Sequence, residues 1–133
     1  MEPVEYIALN DKILALIIRG EANPNTTAFF TSPEVNMQVG FVVYPAGGEI
    51  TRHIHRPLDR HIVGTSEVLV VRRGRCRIDI YDEKRRPVAT RELRTGDVVV
   101  MFAGGHGFHM LEDTTFVEIK QGPYTGLDEK ERF

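Results

Sequence analysis

An all-β sandwich or barrel is the fold class that this chain of 133 residues predicts. From Val39 onward, short apolar or alternating runs are broken by glycine, proline and charged turns, the pattern of many short strands. No helical apolar period of useful length crosses that part. An apolar content of 41% with a single cysteine fits one soluble core with no disulfide framework.

The elements follow in chain order. Residues 13–19 read as a strand or a short helix, because periodicity does not separate the two in a short apolar run. Residues 21–27 are a loop on composition, so the first 38 residues are expected to be the less regular part. Strands are predicted at residues 39–44, 49–55, 67–72, 76–81, 88–93, 98–102 and 115–120. Residues 82–87 and 94–97 carry the charged, proline and glycine chemistry of turns. Leu69, Val71, Val98 and Val100 are expected in the core, and Cys76 reads as a buried strand residue. The polar tail, residues 121–133, is either flexible or draped over the barrel with Tyr124 and Phe133 as anchors. No repeat divides the chain, which reads as one domain over residues 1–133.

A net charge of −2 offers no general attraction to nucleic acid or anionic lipid. The start of the chain lacks the basic and apolar pattern of a signal peptide, and the longest aliphatic run, residues 13–18, is far shorter than the ~20 residues of a membrane span. A cytoplasmic protein without membrane or nucleic-acid partners is therefore expected. Arg72, Arg73, Arg75 and Arg77 read as a solvated turn region, whereas Arg52, Arg56 and Arg60 lie beside the histidines.

All five histidines fall in two clusters: His53, His55 and His61, then His106 and His109. On a strand, residues two apart share a face, so His53 and His55 would project side by side roughly 6.5–7 Å apart along the chain. That spacing suits two ligands of one metal, although two exposed polar residues on a strand would read the same way. Glu67 shares a face with Leu69 and Val71; if that face is interior, its charge needs a partner or a metal. Otherwise Glu67 is a solvated residue ahead of its strand. The stretch Gly104-Gly105-His106-Gly107 lacks the spacing of a nucleotide loop and reads as a tight turn. No serine or cysteine nucleophile with a partnered base is visible.

These motifs resemble the cupin superfamily in its small single-domain form. Gly47 followed by five residues and then His53-Ile54-His55 resembles the opening of the first cupin motif, and Glu67 followed by six residues and Gly74 its close. Leu93-Arg94-Thr95-Gly96-Asp97-Val98-Val99 and Ala103-Gly104-Gly105-His106-Gly107-Phe108 are similar to the second motif. The resemblance covers about residues 37–120. It implies a double-stranded β-helix, or jelly-roll barrel, that forms homodimers. It also implies one divalent transition metal ion, Fe, Mn, Ni, Co, Cu or Zn, held by His53, His55, Glu67 and His106. Eleven residues separate His55 from Glu67 where the family has only a few, Phe102 replaces a proline, and Met110 replaces an asparagine, which leaves His109 as an alternative to His106.

The implied function is a metal-dependent enzyme of the dioxygenase or isomerase type acting on a small polar, anionic molecule. The alternatives are a non-catalytic metal or small-molecule binding module and a metal-free sugar epimerase or ketoisomerase. The inserted loop, residues 56–66, is expected to control access, with Arg56 and Arg60 capturing an anion. His61 on that loop is a surface residue, a substitute ligand, or an acid or base near the open side of the metal.

Overall fold

A computed structural model describes residues 3–124 and 126–133. Met1 and Glu2 at the start of the chain, and Thr125 in the polar tail, lie outside the described residues. The fold is all-β and antiparallel, with one 3₁₀ turn at Gly126–Glu129 and no α-helix among the described residues. No helix is long and apolar enough to cross a membrane. The chain divides into two compact units, residues 1–22 with 64–133 (unit 1) and residues 23–63 (unit 2).

Unit 1 begins with a hairpin of β1 (Val4–Leu9) and β2 (Lys12–Ile18). Asn10 and Asp11 both take positive φ, 51° and 63°, as a two-residue hairpin turn requires. The N-terminal region is thus more regular than its sequence suggests, and residues 13–18 are strand. Leu14, Ala15, Leu16 and Ile17 are all buried, so β2 is covered on both faces and shows an apolar run in place of alternation.

Then follow β5 (Glu67–Arg73), β6 (Arg75–Tyr81), β7 (Pro87–Arg94), β8 (Val98–Met101), β9 (Gly105–Met110) and β10 (Thr115–Lys120). They form two sheets, in the orders β1-β2-β8-β5-β10 and β7-β6-β9, and do not close into one barrel. The chain passes from the first sheet to the second at Gly74, between β5 and β6. There φ is 105° and an added Cβ would lie 2.3 Å from the carbonyl oxygen of Asp113, so only glycine fits. Of residues 104–107, expected as a tight turn, Gly104 lies in a bend and the rest open β9, which pairs with β6 through Ile80 and His106 and through Ile78 and Phe108.

The core lies between the sheets: Ile7, Ile17, Leu69, Val71, Cys76, Ile78, Ile80, Leu93 and Val99 belong to one buried cluster. The register puts Val99 beside Leu69 and Val100 beside Val68. Val98 and Val100 therefore point away from Leu69 and Val71: Val100 is buried as expected but on the other face of the sheet, and Val98 is half-buried, so neither joins that cluster. On that outer face two cross-strand rows are apolar throughout, Val4, Ile18, Val98, Val70 and Val117 in one and Tyr6, Leu16, Val100, Val68 and Ile119 in the other. One buried ion pair staples this unit. Arg19 Nη1 meets Asp97 Oδ2 at 3.1 Å and donates to the carbonyl of Glu92, while Asp97 also accepts from the backbone of Gly20 and Arg94.

Unit 2 contains two short strands, β3 (Ala28–Phe29) and β4 (Gly40–Phe41), paired with each other. The predicted strand 39–44 shrinks to two residues, and the predicted strand 49–55 is not formed. Its alternation gains nothing from pleating: Ile50 and Ile54 are 60% and 89% exposed, so no apolar face is buried to reward it. Tail residues 126–133 are anchored within unit 1: the Phe133 ring lies 5.1 Å from that of Tyr81.

Candidate metal centre

The sheet register of unit 1 brings one acid and one imidazole together. Glu67 opens β5 on the inward row with Leu69 and Val71, beside Met101 on one side and Lys120 on the other. His106 lies on the inward face of β9 with Phe108, against the buried Ile78 and Ile80. Glu67 Oε2 stands 3.6 Å from His106 Nε2, with the two side chains 13% and 30% exposed. Glu67 is therefore an interior carboxylate, and of the two candidate histidines His106 is the one that meets it. His109 falls on the opposite face of β9, in register with Arg77; both histidines are exposed, and the face they occupy separates them.

The pairing has an electrostatic consequence. His106 holds the Glu67 carboxyl below its usual range against burial, which acts to raise it, and Lys120 and Glu118 reinforce the lowering. Behind the pair, Phe108 lies 5.9 Å from the His106 ring and 5.3 Å from Phe116, forming an apolar floor. Gly104 makes this placement possible. It has φ of 73°, and a Cβ there would lie 2.2 Å from the carbonyl oxygen of Tyr81.

In unit 2, His53 and His55 remain neighbours without a strand, their rings 5.2 Å apart and inclined at 70°. His53 Nδ1 lies 2.7 Å from the carbonyl oxygen of Thr51. A proton donated there fixes the tautomer and leaves Nε2 with its lone pair outward, the arrangement of a metal-binding imidazole supported from behind. Arg56, Arg60 and His61 are exposed along the same segment. A shallow depression of 480 Å³ lined by Glu49, Ile50, Thr51 and Arg52 contains none of the histidines.

The donor chemistry suits a divalent ion. For bonds of about 2.1 Å, two ligands of one ion stand about 3.0 Å apart at right angles and about 3.4 Å apart at the tetrahedral angle, so the 3.6 Å between Glu67 and His106 needs only a small adjustment. Among the described residues, no three histidine, cysteine, aspartate or glutamate side chains converge as a ready-made metal cluster. Sequence reasoning missed Glu118 and Lys120, which the strand register places on the inward face of β10. The alternation Phe116, Glu118, Lys120 carried that signal, but polar residues at a strand end read as solvated. Arg75 and Arg77, in contrast, meet Glu92 and Asp79 on the outer sheet face, as a solvated cluster should.

No family model matches the chain, and no curated protein or solved structure matches it either.

Proposed function

We propose that the chain is a divalent-metal-binding cupin, a double-stranded β-helix whose metal serves an enzyme acting on a small polar molecule, by dioxygenation or isomerisation. The observation that carries this reading is the meeting of Glu67 and His106 at 3.6 Å on the inward faces of two sheets. A carboxylate and an imidazole set side by side are a donor pair that suits a divalent cation. His53 and His55 are the two further donors that the cupin pattern implies.

A bound ion of this kind supplies Lewis-acid polarisation of a substrate oxygen. The chain's own residues prepare for it: the Glu67 carboxyl is held below its usual range, His53 Nδ1 donates to the Thr51 carbonyl, and Phe108 and Phe116 pack together beside the pair. Elemental analysis of protein purified without an affinity tag tests the reading. About one equivalent of a first-row transition metal per chain is expected, with affinity at least about tenfold weaker in Glu67→Gln and in the double variant His53→Ala, His55→Ala. Full occupancy retained in the double variant would remove His53 and His55 from the ligand set.

The reading includes a homodimer, supported by the apolar outer face at β10, where Val117 and Ile119 are 38% and 53% exposed while Leu16 and Val100 on the same face are already buried. Ile119→Lys places a charge in that face and is expected to yield monomers in sedimentation equilibrium. A monomeric native chain, or a dimer untouched by the substitution, would exclude this face.

A further inference from the structure

We infer that Lys120 is the residue that recognises the carboxylate of a small anionic substrate, and that the Glu129 carboxylate occupies it as an internal stand-in. The inference deepens the metal-enzyme reading and rests on it. Lys120 ends β10 on the inward row, directly across from Glu67. Its ammonium meets Glu129 Oε1 at 3.1 Å, with the side chains only 23% and 13% exposed, and lies 5.4 Å from the centre of the Tyr124 ring. A half-buried ammonium beside the Glu67 and His106 pair is placed to fix an anion as a point charge, the kind of contact lysine makes.

Glu129 does not reach Lys120 through a sheet. It sits in the 3₁₀ turn after β10, and contacts on either side of that turn bring it there. On one side, Gln121 Oε1 accepts a hydrogen bond of 2.9 Å from the backbone of Ser66, the residue before Glu67. On the other, Glu131 meets Arg85 at 2.9 Å, and the Phe133 ring packs on Tyr81 and so close to Gly105, the residue before His106, that a Cβ there would lie 2.8 Å away. The outer anchors are solvent-exposed: Glu131 is 82% exposed and Phe133 60%.

A substrate carboxylate that replaces Glu129 at Lys120 exchanges one carboxylate contact for another and leaves the charge around the ammonium unchanged.

An internal competitor lowers apparent affinity by the fraction of molecules in which it is displaced. Glycolate is the probe, titrated by calorimetry into the full chain in zinc-loaded and metal-free form. Glu129→Gln is expected to tighten glycolate binding about fivefold, the population factor that a partly exposed ion pair imposes. Lys120→Gln is expected to weaken it by about tenfold or more. Circular dichroism and thermal melting establish that each variant folds; if Lys120→Gln does not, Glu129→Gln decides alone. Unchanged affinity in Glu129→Gln, native affinity in a folded Lys120→Gln, or no glycolate binding by any form would overturn the inference. Failure to take up zinc would sink the metal reading separately, since the ratio between Glu129→Gln and the native chain is read in both forms.

Discussion

Unit 1 and unit 2 satisfy the same chain chemistry in opposite ways. Every buried apolar side chain belongs to unit 1, and no residue from 23 to 63 is buried, although that stretch carries Val42, Ile50, Ile54, Leu58 and Val63. The ion pairs described above, including the enclosed Arg19 and Asp97, also fall in unit 1. The contrast extends to the candidate ligands. Glu67 and His106 are aimed by cross-strand register and a packed core, which fixes direction over many contacts. His53 is aimed by a single hydrogen bond to a residue two positions away, and His55 lies beside its ring, both on an exposed segment. One pair of candidate donors is held by strand register, and the other rests on local backbone geometry.

The largest expected effect tests whether unit 1 is held as this contrast requires. Asp97→Ala removes the partner of Arg19, a side chain 5% exposed, and also uncaps the backbone of Gly20 and Arg94. Breaking a buried pair from one side costs about 3–5 kcal/mol, because the remaining charge stays enclosed. Urea denaturation should show a loss of that size. A loss below about 1 kcal/mol would mean that the staple is solvated and that the core alone holds the unit.

The next comparison sets one isoleucine against another. Ile78, fully buried between the sheets, should cost about 2–5 kcal/mol on truncation to alanine. Ile54, 89% exposed, should change stability by no more than about 0.5 kcal/mol. Equal effects in thermal and urea melts would erase the distinction between the units. A large cost at Ile54 would show that unit 2 is covered in solution by a partner of its own.

Which features were legible in the sequence follows the same division. Strands of unit 1 are read almost to the residue where one face is buried, as in β6, whose alternation Cys76, Ile78, Ile80 is the core pattern itself. Reading failed where burial departed from alternation: β2 is covered on both faces, and 49–55 alternates with nothing to pack against. The hairpin turn of Asn10 and Asp11 carried a usable signal, since these residues tolerate positive φ, but the apolar run after it concealed which element it joined. Of the candidate site, Glu67 was readable from the apolar strand residues that follow it, whereas His106 stood out only through the resemblance of its glycine-rich stretch to the second cupin motif. Lys120 and Glu129 were not legible, because their meeting depends on a nonlocal return of the chain that no short-range pattern encodes.

The smallest expected effect concerns the link between the two sheets of unit 1. Glu5 on β1 and Arg91 on β7 form a pair with three hydrogen bonds between 2.7 and 3.0 Å. The hydrogen bonds from Arg91 hold the Glu5 carboxyl below its usual range, with burial opposing and the charges of Arg91 and Arg19 adding to the lowering. A carboxyl lowered on folding contributes stability above its unfolded value, about 4.3, and loses that contribution as pH falls through the folded value. With side chains 38% and 25% exposed, the pair is worth roughly 0.5–1 kcal/mol after solvent screening. Native protein should therefore exceed Glu5→Gln in stability by that amount at pH 7, and the two urea curves should converge as the pH is lowered from about 5 toward 3. A gap that stays constant across this window would assign the effect of Glu5 to packing of its methylenes instead of to its charge, and would leave the apolar core as what joins the sheets.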